Sequence, residues 1–198
     1  MTRNVYSDYS YSFKLQTCIA TMSISWWITQ SIELVLIGVI GGSVVWATVK
    51  GAPWLPTNKK VIKRMLELAR LLPCEIVYDL GCGDARSLII AHDEFGATGY
   101  GIELAIPMFC VSWLRTRRKR GITIKLADLF CVSLQNADVV FLFLMNHSLA
   151  HLEQKLTEEL RPGTRVISYC FQLPSWTPKQ METIPHLGTI YLYFRASE

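Results

Sequence analysis

The chain has 198 residues, which is enough for one domain with a substantial hydrophobic core and too few for two. Its charged fraction of 18% lies below the roughly 25% of typical soluble proteins, and its mean hydropathy is +0.25, so an apolar element beyond an ordinary core is expected. A net charge of +4 is too mild to predict a nucleic-acid-binding protein, but it suits contact with an anionic membrane surface.

The cysteines predict neither a metal site nor a disulfide framework. They are scattered, without a C-x-x-C pair or the spacing of zinc ligands. Several lie in apolar runs, so we interpret them as buried free thiols in a reducing compartment. They are Cys18, Cys74, Cys82, Cys110, Cys131 and Cys170.

The N-terminal part predicts a membrane helix preceded by a poorly ordered segment. Residues 1–25 begin with a Ser- and Tyr-rich stretch that has no periodicity. Residues 34–49 carry no charge, and a helix over 26–49 that starts at Trp26 and Trp27 spans a hydrocarbon core of roughly 30 Å. Tryptophans at that end suit an interfacial anchor.

Two other interpretations of this stretch compete. A secretory signal is disfavoured, because the apolar run starts late and lacks an A-x-A cleavage pattern. A buried core helix stays open, although the fold predicted below does not need one. Basic residues crowd the C-terminal flank, so the positive-inside rule predicts that the following domain lies in the cytoplasm or a mitochondrial matrix. They are Lys50, Lys59, Lys60, Lys63 and Arg64, against Arg3 and Lys14 on the N-terminal side.

Residues 50–198 predict a single α/β domain. Helical and strand periodicities alternate, which indicates a parallel sheet covered on both faces. The chain closes with two strands joined by a short turn, which predicts an antiparallel hairpin. The predicted helices are 58–72, 86–95, 107–120 and 147–160, and the predicted strands are 75–80, 98–104, 122–126, 137–144, 164–171, 180–184 and 189–194.

A glycine-rich turn joins the first predicted strand to its helix. Gly81 and Gly83 lack a Cβ, so the backbone turns sharply and approaches a ligand, and the helix start supplies unpaired N–H groups. In a dinucleotide-binding fold the third glycine position would be Arg86, whose side chain obstructs close helix packing. An acid at Asp79 with a small residue at Ala85 is instead typical of S-adenosylmethionine-dependent methyltransferases.

Three acids follow three successive predicted strands. Asp79 is placed to accept from the ammonium group of the cofactor, Glu103 to accept both ribose hydroxyls, and Asp128 to accept from the adenine amino group. Any one of them is also what an ordinary turn would contain. Together, and in order after the glycine loop, they predict an S-adenosylmethionine site at the carboxyl ends of the strands, formed by Asp79, Gly81, Gly83, Glu103 and Asp128.

With these residues the chain resembles the membrane-associated protein-lysine N-methyltransferases that act on the ATP synthase c-ring protein and the adenine nucleotide translocase, and their prokaryotic relatives. The resemblance implies the class I methyltransferase fold, a seven-stranded Rossmann-like sheet that ends in an antiparallel hairpin. The glycine loop marks the superfamily, whereas two proline-containing segments are more particular to the family. The similar segments are 37–42, 53–57, 79–86, 101–104, 128–130, 158–160, 165–167 and 171–178.

The resemblance also implies an activity and its partners. The expected enzyme transfers methyl groups from S-adenosylmethionine to a lysine side chain of a membrane protein, with the lipid bilayer as a further partner and without a metal or a nucleic acid. The expected location is the mitochondrial inner membrane or a prokaryotic cytoplasmic membrane, as a single-pass protein. No catalytic residue is assigned, and the candidates for the substrate pocket are Trp54, Asn146, Tyr169 and Trp176.

Three departures from the family pattern keep other functions open. Ala85 replaces a usual glycine, Ala105 and Ile106 replace a usual Asn-Pro pair, and Asn146 replaces a usual proline near the methyl donor. One alternative is a catalytically inactive S-adenosylmethionine-binding membrane adaptor. The other is a small-molecule methyltransferase, which is disfavoured because no inserted segment is available to enclose a small substrate.

Overall fold

The computed structural model describes the backbone of residues 5–50 and 55–196, and the side chains of residues 26–49 and 55–196. Two compact units are present, Met1–Gly42 and Ser43–Glu198.

Helix α1 runs over Val5–Lys50. Its segment Trp26–Val49 has a mean hydropathy of 2.0 and is long and apolar enough to cross a membrane. The helix includes residues 5–25, and residues 5–37 contain no glycine or proline that would end it. The expected division of the chain at residue 25 stays a prediction.

The second unit alternates helices and strands as predicted. Most predicted bounds lie within a few residues of those in the structure. The helix predicted to reach residue 72 ends earlier, because Arg70 adopts a left-handed conformation with φ 48°. The helices are α2 (Lys59–Leu68), α3 (Arg86–Phe95), α4 (Ile106–Thr116) and α5 (Asn146–Glu159), and the strands are β1 (Ile76–Leu80), β2 (Thr98–Glu103), β3 (Ile122–Leu126), β4 (Val139–Leu142), β5 (Arg165–Tyr169), β6 (Gln180–Ile184) and β7 (Gly188–Phe194).

All seven strands form one sheet in the order β3-β2-β1-β4-β5-β7-β6. The first five are parallel, and β7 is antiparallel to both β5 and β6. The prediction of a parallel sheet closed by an antiparallel hairpin is therefore confirmed. The strand order reverses between β1 and β4, and open α/β sheets bind ligands at the carboxyl ends of the strands beside such a reversal.

Helices cover both faces of this sheet. Alternate strand residues point to opposite faces, so Val77 packs with α2 and α3, whereas the next residue, Tyr78, packs with α5. Between β3 and β4 the chain forms only a short 3₁₀ turn, Leu129–Cys131. The two apolar layers hold the strands rigidly, and this fixes the positions of the loops at their carboxyl ends.

The expectation of buried cysteines is wrong for several of them. Among the described residues Cys82 is buried, but Cys74, Cys110 and Cys131 are exposed. Their positions explain this, because Cys74 lies in a turn and Cys110 lies on an outward face of α4. Cys18 lies outside the residues whose side chains are described.

Candidate functional site

The loop after β1 forms the sharp turn that its glycines predicted. Gly81 and Gly83 have φ of 87° and 53°, a region that residues with a Cβ adopt at a cost. The N–H groups of Gly81 and Cys82 donate to the Ile102 carbonyl at 2.9 and 3.0 Å. These bonds tie the loop to β2 and bring it beside Glu103.

Glu103 is buried at the end of β2. Its Oε2 accepts from Gly83 N at 2.8 Å, and its Oε1 accepts from Leu104 N at 2.9 Å and from Ala105 N at 2.8 Å. A carboxylate has about four acceptor positions, so three of them are already used by backbone donors. One acceptor position on Oε2 remains for a ligand, while Oε1 orients the carboxylate. The contact of Glu103 with the ribose hydroxyls stays a prediction.

Asp79 is buried at the end of β1, and its Oδ2 accepts from the Ser87 hydroxyl. Burial raises the pKa of Asp79 to about 7, and the nearby charges of Glu103 and Asp84 act in the same direction, while the Ser87 hydrogen bond opposes them. A buried carboxylate in negative surroundings favours a cationic ligand.

A third carboxylate, Asp84, is neutralised by two arginines. Its oxygens accept from Arg86 Nε and Nη2, both at 2.8 Å, and Arg115 on α4 forms a further ion pair with it. Burial raises the pKa of Asp84, but hydrogen bonds and charge from Arg86 and Arg115 outweigh it, so the pKa lies below its ordinary value. These arginines fix the loop in place.

This network was missed by the sequence reasoning, which used Arg86 only as evidence against a dinucleotide fold. Arg86 also donates from Nη1 to the Thr57 carbonyl at 3.1 Å, and it thereby holds the proline-containing segment before α2 against the glycine loop. The signal that was available was the Asp84-x-Arg86 spacing at the start of a helix, where the two side chains meet.

Asp128 follows β3 on the far side of Glu103. Its Oδ1 accepts from Phe130 N at 3.0 Å, and the Ala127 N–H donates to the Glu103 carbonyl at 3.0 Å. A cavity of about 350 Å³ opens here, a volume within the range of small-molecule sites. It is lined by Val44, Ala47, Thr48, Leu55, Gly81, Ile102, Glu103, Leu104, Ala105, Pro107, Met108, Ala127, Asp128, Leu129, Phe143 and Leu144.

A second, smaller cavity of about 60 Å³ adjoins the first across Leu55, Gly81 and Phe143. It contains Asp79 on one side and mostly apolar groups on the other. Its lining comprises Leu55, Pro56, Thr57, Ile62, Met65, Asp79, Gly81, Cys82, Gly83, Asp84, Arg86, Ser87, Phe141, Leu142, Phe143 and Tyr169.

The two cavities together bring the five predicted cofactor residues to one edge of the sheet. Asp79 and Gly83 line the smaller cavity, Glu103 and Asp128 line the larger one, and Gly81 lies between them and lines both. The order of these residues along the edge follows the order of the strands β1, β2 and β3 that carry them.

Among the predicted pocket residues that the structure describes, Tyr169 alone lines these cavities. Its ring packs on Phe143 with 4.9 Å between ring centroids, and its hydroxyl donates to the Leu187 carbonyl in the turn between β6 and β7. Burial raises the pKa of Tyr169 to about 12, with Cys170 acting in the same direction. The ring therefore serves as a wall, and the hydroxyl is unsuited to act as a base near neutral pH.

Two other predicted pocket residues, Trp176 and Asn146, lie elsewhere. Trp176 packs edge-on against Tyr193, and its Nε1 donates to Thr157 Oγ1 at 3.3 Å, because its segment is folded over α5. Asn146 is exposed at the first turn of α5 and faces a separate groove formed with residues 170–174. Trp54 lies outside the described residues.

The site chemistry fits S-adenosylmethionine. Asp79 and Glu103 supply negative charge to a buried site, and the described cations nearest to it, Arg86 and Arg115, are paired with Asp84. The cofactor carries a sulfonium and an ammonium group, so its charge complements the two carboxylates. The volume beside Glu103 and Asp128 suits its nucleoside.

Comparisons with known proteins agree with this geometry. The model of the ANTKMT methyltransferase domain matches residues 79–180. A protein-lysine N-methyltransferase of Saccharolobus islandicus is 38% identical over 149 residues, which cover 71% of this chain and 92% of that protein. The human lysine N-methyltransferase of the ATP synthase c-ring protein is 30% identical over 144 residues, and the mouse adenine nucleotide translocase lysine N-methyltransferase is 33% identical over 129 residues. The matches cover 60% and 56% of these two mammalian proteins.

A solved structure is also similar. An RNA methyltransferase from Salinibacter ruber in complex with S-adenosyl-L-homocysteine is 33% identical, has a TM-score of 0.71, and is covered over 95% of its length by 73% of this chain. A SAM-dependent methyltransferase from Geobacter sulfurreducens, 24% identical with a TM-score of 0.52, shares the fold. The chain therefore belongs to the ANTKMT methyltransferase domain family and is an S-adenosylmethionine-dependent methyltransferase.

Proposed function

We propose that this enzyme transfers methyl groups from S-adenosylmethionine to a lysine side chain of a membrane protein. The observation that carries the proposal is the small cavity beside Phe143 and Tyr169, which adjoins the cavity beside Glu103 and Asp128. The archaeal and mammalian relatives that are named as lysine methyltransferases support the same substrate class.

Each cofactor residue has a distinct role in this proposal. Asp79 accepts from the ammonium group, Glu103 Oε2 accepts from a ribose hydroxyl, and Asp128 borders the adenine. Gly81 and Gly83 let the loop backbone lie against the ligand. S-Adenosylmethionine supplies an activated methyl group on its sulfonium, so the protein needs mainly to align a nucleophile with it.

The nucleophile must be a neutral amine. An apolar cavity disfavours the ammonium form and lowers the pKa of an entering lysine, so the proton is released to bulk water. Phe141, Phe143 and Met65 give the cavity this character. Tyr169 contributes its ring to the alignment, and no dedicated base is required.

The proposed location follows from α1 and the charges after it. We place Trp26–Val49 across a membrane as a single span, with the catalytic domain on the cytoplasmic or matrix side, as the flanking basic residues favour. The mammalian relatives are named for the ATP synthase c-ring protein and the adenine nucleotide translocase, which favours the mitochondrial inner membrane, and the archaeal relative favours a prokaryotic membrane. Tethering raises the effective concentration of a substrate in the same membrane. The division into an N-terminal segment 1–25, a membrane helix 26–49 and a domain 50–198 stays a prediction.

A second candidate substrate is RNA, which the name of the Salinibacter ruber structure favours. The mild net charge of this chain does not suggest a nucleic-acid surface.

One labelling experiment separates these functions. The full chain is incubated with S-adenosylmethionine carrying a radioactive methyl group, detergent-solubilised membranes and total RNA. We expect label in a small membrane protein that yields methyl-lysine on acid hydrolysis. Label that ribonuclease removes, or label in small molecules, would contradict the proposal, and cofactor binding without transfer would indicate an inactive adaptor.

Two matched variants test whether the labelling depends on the proposed cofactor site. Asp79→Asn removes the acceptor for the ammonium group and should abolish labelling. Asp93→Asn removes an exposed carboxylate that pairs with Lys119 on the surface, and it should leave labelling unchanged.

A further inference from the structure

Helix α4 presents an apolar face to the outside of the domain. Val111, Trp113 and Leu114 are 40%, 51% and 57% exposed, and Cys110 on the same side is exposed as well. The opposite side of the helix holds the buried Ser112 and Thr116 and packs toward β3. We call the group Cys110, Val111, Trp113 and Leu114 the α4 face. A contiguous exposed apolar patch of this kind marks an interaction surface.

Basic residues follow the α4 face at the C-terminal end of the helix. Arg117 lies four residues after Trp113 and Arg118 four after Leu114, so each arginine follows one turn behind an exposed apolar side chain. Both arginines are exposed, as is Arg120. Within residues 26–49 and 55–196, no carboxylate forms an ion pair with these three arginines, whereas Arg115 and Lys119 have acidic partners. Their positive charge is thus available to an anionic partner.

The start of α4 lies beside the end of the apolar span. Ile106 N donates to Ser43 Oγ at 3.3 Å, and both residues belong to the second compact unit. Ser43 precedes the end of the span at Val49 by six residues, which is about 9 Å of helix at 1.5 Å per residue. If the span crosses a membrane, this contact holds the beginning of α4 close to the boundary of the bilayer on the side of the domain.

We propose that the α4 face is a second membrane contact, which docks on an anionic phospholipid surface with its apolar side chains between the headgroups and its arginines at the phosphates. Tryptophan and leucine beside arginine are the composition of interfacial helices. This inference rests on the proposed membrane insertion of α1. A second contact would fix the orientation of the domain relative to the membrane surface, which anchoring by α1 alone does not require.

A second copy of this chain is a less suitable occupant. A two-fold interface would pack this patch on itself, and residues 106–120 contain no carboxylate that could neutralise the arginines of the other copy. A lipid surface with negative headgroups complements the apolar face and the arginines together.

Photo-crosslinking of the full chain in lipid nanodiscs tests the proposal. p-Benzoylphenylalanine replaces Leu114 in one sample, Met181 in a second and Val39 in a third. Met181 is a matched control, since it is 58% exposed and lies on β6, and Val39 reports insertion of α1. Cofactor binding by thermal shift confirms that each sample is folded.

We expect lipid adducts at positions 39 and 114 and few at 181 in nanodiscs with phosphatidylserine. Reversing Arg117→Glu and Arg118→Glu should reduce the adducts at 114 by about fivefold for each arginine and leave those at 39 unchanged. The pair Arg70→Glu and Lys179→Glu, which lie together at the opposite edge of the sheet, has the same charge change and should have no such effect.

Two results would overturn the α4 contact. Lipid adducts at 39 with none at 114, or adducts at 114 that link two copies of the chain, would disprove the docking while membrane insertion stands. An absence of adducts at all three positions would remove the membrane insertion itself, and the lysine transfer would then still be tested separately by the labelling experiment.

Discussion

Asp79 couples cofactor binding to pH. Burial raises its pKa to about 7, and the ammonium group of S-adenosylmethionine binds the ionised carboxylate. Bound ligand lowers that pKa, so affinity is highest above pH 7 and falls as pH decreases through it. Calorimetry should find about a tenfold loss of affinity from about pH 7 to about pH 5.5. An affinity independent of pH in this range would contradict the role of Asp79.

The same residue makes the ligand-free protein less stable. Its folded pKa of about 7 exceeds the ordinary 3.8, so ionisation of Asp79 costs more free energy in the folded state than in the unfolded state. This loss of stability grows as pH rises from about 4 to about 7 and is constant above pH 7. Asp79→Asn removes it and should raise the free energy of unfolding by up to about 4 kcal/mol at pH 8, with little change near pH 4. Urea denaturation at both pH values measures this, and equal effects at the two would show that the charge is not the cause.

Ala85 has a strained backbone conformation at the start of α3. It is buried with φ 59°, and a left-handed conformation costs a residue with a Cβ about 1–2 kcal/mol. Glycine removes this strain but increases the entropy of the unfolded chain by about 0.4–1 kcal/mol. Ala85→Gly should therefore stabilise the protein by roughly 0.5–1 kcal/mol, measured as a shift in the urea midpoint. A lower midpoint would mean that packing of the methyl group outweighs the strain.

At the scale of elements, Arg86 and Arg115 both pair with Asp84 but connect the glycine loop to different parts of the domain. Arg86 connects Asp84 to the Thr57 carbonyl, whereas Arg115 connects Asp84 to α4. Arg86→Ala removes the bidentate partner of Asp84 and the bond to the Thr57 carbonyl, so it releases both the loop and the segment before α2, and it should weaken cofactor binding by about tenfold or more although Arg115 still pairs with Asp84. Arg115→Ala keeps one arginine on Asp84 and should have a smaller effect. Calorimetric titration compares the two, and a larger loss for Arg115→Ala would reverse this ranking.

The elements themselves were predictable because their signals are local. Alternating apolar runs predicted where the strands lie along the chain, and the glycines predicted the turn after β1. Contacts between distant segments were not predictable. Trp176 was expected at the pocket, but Glu153 on α5 accepts from Ser175 N at 3.0 Å and holds its segment on the other face. The pair of Asp84 with Arg115, 31 residues apart, likewise depends on how α4 packs.

For the whole molecule, the proposed orientation of the domain is measurable with the exposed Cys74 and Cys131. A membrane-impermeant maleimide should label them in inverted vesicles, where the cytoplasmic or matrix side faces out, and not in right-side-out vesicles until detergent is added. Labelling of Cys74 or Cys131 in intact right-side-out vesicles, in a chain with Cys18→Ser, would place the domain on the opposite side, against the distribution of basic residues around the span.

The bond from the Tyr169 hydroxyl to the Leu187 carbonyl has a consequence for the evolution of this enzyme. One wall of the amine cavity is positioned by the terminal hairpin, whereas the nucleoside contacts come from the loops after β1, β2 and β3. Changes of length or sequence around 185–188 can therefore widen or narrow the entrance for an acceptor without disturbing the methyl donor. Enzymes of one lineage can in this way diverge in target while they retain a common cofactor.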